Sequence, residues 1–199
     1  MGELVNSSAT NAIGIGTSGT SAGTGSIAMG VDCSAGYISS MAIGLDNESD
    51  GLGSIAMGSR NWATGIDKTG LLDIADSRDG AMAFGIDCSA TGVAALAMGK
   101  ECDASGNYSI ALGISGEAYG NQSIAIGSAV QALGPFSVVI GRDCSSALLS
   151  EHGVAIGRDA FVGGTLAGLS TESAIALGGG IAMNSNALAA QTSKVYGEG

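Results

Sequence analysis

Large apolar residues recur in pairs along this chain. Each pair is split by a small residue and closed by glycine, as in Ser26-Ile27-Ala28-Met29-Gly30 and Ser123-Ile124-Ala125-Ile126-Gly127. Counting every variant, the closing glycines are Gly16, Gly30, Gly44, Gly58, Gly85, Gly99, Gly113, Gly127, Gly141, Gly157 and Gly178. They stand 14 residues apart except at three places, where the spacing is 27, 16 and 21. A fixed period this short marks a solenoid, in which each repeat is one rung stacked on its neighbours.

With the closing glycine as position zero, −3 and −1 are large and apolar in every rung, and two positions two residues apart share one face of a strand. That face is read as the core, formed by Ile27, Met29, Ile55, Met57, Ile110, Leu112, Ile124, Ile126 and their equivalents. Position −2 points the other way and is Ala28, Ala42, Ala56, Ala83, Ala97, Ala111, Ala125, Ala155 and Ala176, with Gly14 and Val139 as exceptions. A second strand follows, small at +3 and +5 (Cys33 and Ala35, Cys102 and Ala104) around a mostly polar +4, the alternation of a half-buried strand. Glycines at zero and +7 are expected where the chain reverses. The pattern predicts an all-β parallel β-roll with two short strands per rung and about eleven rungs, a rod on the order of 50 Å long. Its flat column of alanines would face water and is expected to be covered by copies of the same chain, making a homo-oligomer about the long axis.

The boundaries that follow are a lead-in over 1–11, the roll over 12–178 and a C-terminal extension over 179–199. Insertions fall near 66–80, 148–152 and 165–172, all at the same point of the rung.

Composition sharpens this picture. Aromatics make up only 4% of a chain with 35 glycines, so the interior is thin and regular. A net charge of −11 with 7 basic residues argues against a nucleic-acid partner. Mean hydropathy is positive at +0.36, yet no apolar run approaches the roughly 18 residues of a membrane span. The N-terminus shows no basic segment followed by an apolar one, so no signal peptide and no membrane insertion are expected.

The phrases at Ser26–Gly30, Ser54–Gly58, Ser109–Gly113 and Ser123–Gly127, on a 14-residue period, resemble the YadA-like head of trimeric autotransporter adhesins. The resemblance implies a left-handed parallel roll, a homotrimer built on the alanine column, and an outer surface that attaches to a cell-surface glycan or protein receptor. Similar heads occur in phage fibre and spike proteins. The chain shows no heptad stalk, anchor barrel or signal segment, and its four cysteines are unusual for an exported head. It is therefore read as a virion-surface fibre or spike component made in the host cytoplasm and joined to other fibre or virion proteins through its termini. The alternative is the head of a bacterial surface adhesin.

Candidate binding residues lie where the count fails. Asp67, Lys68, Asp73, Asp76, Arg78 and Asp79 crowd the longest insertion, and loops on a rigid scaffold are where binding concentrates. Trp62 and Phe161 occupy the usually polar +4 column and should face outward, either to anchor a partner or to pack under the insertions that follow them. Acidic residues recur at +2 (Asp32, Asp46, Asp87, Glu101, Asp143, Asp159), read as a solvated face in preference to a calcium ladder, since Arg142 and Arg158 sit beside their acids. Cys33, Cys88, Cys102 and Cys144 all fall at the inward +3 position without a CxxC pair, so reduced core thiols are expected rather than zinc. His152 is the only histidine, and no catalytic constellation, metal or cofactor is indicated.

Overall fold

In-register stacking is the rule throughout. The computed structural model describes residues 5–64, 80–163, 171–183 and 187–190. Two parallel sheets of twelve strands each run the length of the roll, one of mostly five-residue strands such as Ile27–Val31, Met41–Leu45 and Ile110–Ile114, the other of two-residue strands such as Ser34–Ala35, Glu48–Ser49 and Glu117–Ala118. Each residue pairs with its own equivalent one rung on: Ala111 with Ala125, Gly113 with Gly127, Glu117 with Gln131. The long-strand sheet holds this register across the 27-residue interval, where Ile55–Ser59 pairs directly with Met82–Ile86. The roll also begins and ends beyond the span the phrase marks out, since Asn6–Ser7 pairs with Thr20–Ser21, and Leu188–Ala190 pairs with Ile175–Leu177.

The two faces are the reverse of what the pattern suggested. Ala28, Ala42, Ala56, Ala83, Ala97, Ala111, Ala125, Ala155 and Ala176 point into the roll and are 0–1% exposed. The residues expected as core, Ile27, Met29, Ile55, Met57, Ile110, Leu112, Ile124 and Ile126, flank them on the outside of the same strands and remain partly exposed, Met57 to 36%. The inward alanines meet the equally small +3 and +5 residues of the short strands, so the two sheets close on one another through Ala, Ser and Cys. The largest fully buried side chains are Val130, Val139, Val162, Asn47 and Asn61. An interior this shallow has no room for an isoleucine in every rung, and close packing is met by pairing small with small.

Most reversals are made by residues with side chains and not by the glycines expected at zero and +7, with Gly25, Gly53 and Gly80 taking the corner at −5. Position +2 is left-handed in ten rungs, including Asp32 at φ 51°, Asp46 at 53° and Arg60 at 54°. Position −5 is left-handed too, as at Tyr108 (59°), Phe136 (56°) and His152 (56°). Asp and Asn tolerate this region better than most residues. The acidic +2 column is thus a corner preference as well as a charged edge.

The glycines serve a different constraint, close approach between rungs. A Cβ on Gly113, whose φ is +125°, would lie 1.9 Å from the carbonyl oxygen of Gly127. At +7, a Cβ on Gly120 would lie 2.0 Å from the carbonyl oxygen of Gly134. Replacing Gly113 by Ala should therefore cost at least about 3 kcal/mol, combining overlap with backbone strain. Gly116→Ala is the control: its nearest contact would be 3.7 Å away, at Val130 Cγ2, and its φ is not positive. Chemical denaturation should show a large loss for the first variant and little change for the second. Equal losses would mean that rung spacing is not what the glycine column protects.

Candidate functional site

The roll presents two broad faces and two edges. On the long-strand sheet, positions −3, −1 and +1 face outward and make three parallel columns of side chains, flat because each strand lies in register with the next. The +1 column adds Val31 (42% exposed), Leu45 and Ile86 to the apolar pairs in the N-terminal half, then becomes charged at Lys100, Arg142 and Arg158. Each of these cations pairs with the acid that follows it, Glu101 at 3.2 Å, Asp143 at 3.4 Å and Asp159 at 3.4 Å. A soluble monomer rarely leaves a contiguous apolar patch beyond about 300–600 Å² in water. A face that is apolar at −3 and −1 in every rung can associate, and its charged +1 residues are already paired along one margin.

On the short-strand sheet the outward column is +4. Trp62 stands there as expected, half exposed, in register between Glu48 and Ser89, and Phe161 occupies the same column partly buried between Ser145 and Ile181. Beside Trp62 the Arg60 guanidinium forks onto Asp87, with Nε and Nη2 donating at 2.6 and 2.7 Å, which holds the Asp87 carboxyl below its ordinary range. An open recess of about 240 Å³ lies here, lined by Asp32, Asp46, Glu48, Arg60 and Trp62. Burial, and then the neighbouring Asp50, raise the Glu48 carboxyl. Neither the ion pair nor the recess was evident from the sequence, although the signal exists: once the 27-residue interval is counted as one rung, Arg60 and Asp87 are consecutive +2 residues.

One edge gathers the insertions. Described residues flank them at Thr64 and Gly80, at Ala147 and His152, and at Gly163 and Ser173, which are +6 and −5 in each case. Exposed aromatics share this edge: Tyr108 and Phe136 at −5, Tyr119 at +6, with Phe136 stacked on His152 at 4.9 Å. The expected contact residues Asp67, Lys68, Asp73, Asp76, Arg78 and Asp79 lie outside the described residues.

The interior +3 column reveals why cysteine recurs there. Cys33, Cys102 and Cys144 each direct Sγ to the carbonyl oxygen of the next rung's glycine, at 3.4, 3.3 and 3.3 Å. Asn47 and Asn61 do the same with Nδ2, at 2.9 Å to Gly58 and 2.8 Å to Gly85, and the Asn61 amide also donates to Asn47 Oδ1. In these five rungs the column places a small donor on one carbonyl, while Gly116, Val130 and Ala160 fill the same position without one. All four cysteines are free and buried, and the Cys88 thiol, hydrogen-bonded to Cys102 and shielded from water, is pushed above its ordinary range. Among the described residues no group of three or more His, Cys, Asp or Glu is placed to hold a metal ion, and no helix is long and apolar enough to cross a membrane.

This arrangement has a counterpart in a known family. The model of the YadA head domain repeat matches residues 38–61, 49–67, 90–115, 104–129 and 118–143. This chain carries a YadA-type head. No curated protein sequence matches it. YadA heads are in general trimeric, surface-exposed parts of structural adhesins. In this YadA head the matched residues fall on both sides of the longest insertion and include Trp62 and the recess lining except Asp32 and Ser34.

Inward thiols held against backbone carbonyls should be closed to reagents in solution. A disulfide-exchange reagent added to the native head is expected to label none of the four within minutes and all four after denaturation. Prompt native labelling would show that the +3 column opens to water.

Proposed function

We propose that this chain is the head of a non-enzymatic homotrimeric fibre, a left-handed roll that mediates attachment. The observation that carries the proposal is the unpartnered apolar face of the long-strand sheet, repeated from Ile27, Met29 and Val31 to Ile175 and Leu177. Three copies meeting through that face would remove it from water and leave the short-strand sheet, Trp62 and the insertion edge outside. The general trimeric habit of YadA heads supports the number three. The alanine column cannot form this interface, because it already fills the roll.

Attachment is assigned to the outer surface, through Trp62, Phe161 and the insertion carrying Asp67, Lys68, Asp73, Asp76, Arg78 and Asp79, with a glycan or protein on a cell surface as receptor. Four free, buried thiols support assembly in a reducing compartment, and so a virion fibre or spike joined to other virion proteins, over a head exported to a bacterial surface.

Light scattering of the intact protein should give the mass of three chains. Leu112→Asp with Ile126→Asp places two charges per chain on the proposed interface and should yield monomers that keep their β circular dichroism. Ala111→Glu, which forces a carboxylate into the roll, should unfold the chain. A monomeric parent, or a double variant that remains trimeric, would overturn the interface.

Removal of residues 67–79 restores the 14-residue spacing between Gly58 and Gly85. The shortened chain should fold, associate as the parent does and lose most of its attachment to target cells. Undiminished attachment would take the insertion out of the receptor site.

A further inference from the structure

We propose that neighbouring copies meet edge to edge and parallel, the +1 margin of one against the −6 margin of the next, with Glu151 of each chain lying between Arg142 and Arg158 of its neighbour. The inference deepens the assembly reading and rests on it in one respect, that three copies share the long-strand face. Identical copies set around one axis cannot meet through like edges, so one edge of each must fit the other edge of the next.

The two edges are built alike. At +2 a left-handed residue donates its N–H to the +1 carbonyl of the preceding rung, as Asp159 does to Arg142 at 3.0 Å. At −5 a left-handed residue does the same to the −6 carbonyl, as His152 does to Pro135 at 3.1 Å. The +1 and −6 columns thus stand at matching places on either side of the long strands. Because the chain climbs steadily, each +1 residue lies in height between the −6 residue of its own rung and that of the next. The insertions leave outboard of this corner, since Ser150–Glu151 still pairs with Thr171–Glu172.

The columns agree in kind where they would meet. Val31 and Leu45, 42% and 48% exposed, fall on either side of Ile38, itself 49% exposed, and Ile86 falls beside Val93. Towards the C-terminus both columns become charged with opposite sign, Arg142 and Arg158 at +1 and Glu151 at the height between them. The Glu151 side chain is exposed and has no ion pair or hydrogen bond among the described residues. Arg142 and Arg158 meet their own acids at 3.4 Å with side chains 54% and 70% exposed, and pairs so open to water are weak enough to share the cation with a second acid. The −5 column, which would face the acidic +2 column, carries no acid in any described rung. Ile114, between Asn107 and Asn121, is the exception to the match.

Register needs such a device. Columns that repeat in every rung fit as well after a slip of one rung, so the −3 and −1 residues hold copies together without fixing their height. A slip of one rung takes Glu151 from one of its two arginines, and a slip of two takes it from both. Polar contacts that set register within an apolar seam work in this way.

In the full chain, Glu151→Cys combined with Arg158→Cys should be joined between chains by a short thiol-specific cross-linker, giving covalent trimers on a denaturing gel. Glu151→Cys combined with Lys100→Cys, about 17 Å apart along the stack, should give none. Arg142→Glu with Arg158→Glu should weaken assembly at least tenfold on dilution, read by light scattering, and adding Glu151→Arg should recover most of the loss. A trimer that forms no Glu151–Arg158 cross-link, that cross-links the Lys100 pairing equally well, or that Glu151→Arg does not restore overturns the edge match and leaves the trimer standing. A monomeric parent overturns both readings.

Discussion

The distance between rungs governs this molecule. Parallel strands at about 4.8 Å place every residue directly over its own equivalent, and the glycine carbonyls then come so close that a single Cβ cannot fit between them. From that constraint follow the glycine column, the left-handed residues that turn the chain within so short a rung, and the selection of small donors at +3 to reach the same carbonyl. Cys102 and Asn61 look unrelated as residues. They answer one requirement, a group that fits the thin interior and donates to the next rung's glycine.

Much of this was legible in the sequence. The period set the rung, the pairing register, the outward placement of Trp62, the inward placement of the cysteines and the points where insertions leave the roll. The faces were not legible. A period of two separates the sides of a strand without saying which is inside, and large apolar residues at −3 and −1 draw the usual inference that they form the core. The contrary signal was the small residue at most +3 and +5 positions, since two sheets that offer mainly Ala, Ser and Cys, and nothing larger than Val or Asn, can close tightly on each other. The corners were hidden for a similar reason. Tyr108, Phe136 and His152 do not read as left-handed residues, and the stack imposes on them a conformation that local preference would avoid. The recess beside Trp62 needed the rung template carried across the longest insertion before Arg60 and Asp87 could be seen as neighbours.

The surfaces divide the work. The long-strand sheet is apolar and flat, suited to association. The short-strand sheet carries the exposed indole, and the +2 corner beside it carries the Arg60–Asp87 ion pair and most of the carboxylates. Insertions of different lengths leave at one edge while the two long sheets continue unbroken beneath them, so the chain can vary its outer contour without disturbing the stack.

Since the large apolar side chains lie outside the roll, a lone chain shields less hydrocarbon from water than its composition would suggest. Its interior of alanines, serines and thiols contributes little transfer free energy per residue. Whatever covers the columns headed by Ile27 and Met29 thus adds to what the roll supplies by itself, and assembly draws the folding equilibrium towards the native state. The thermal stability of such a head is a property of its concentration as much as of its sequence.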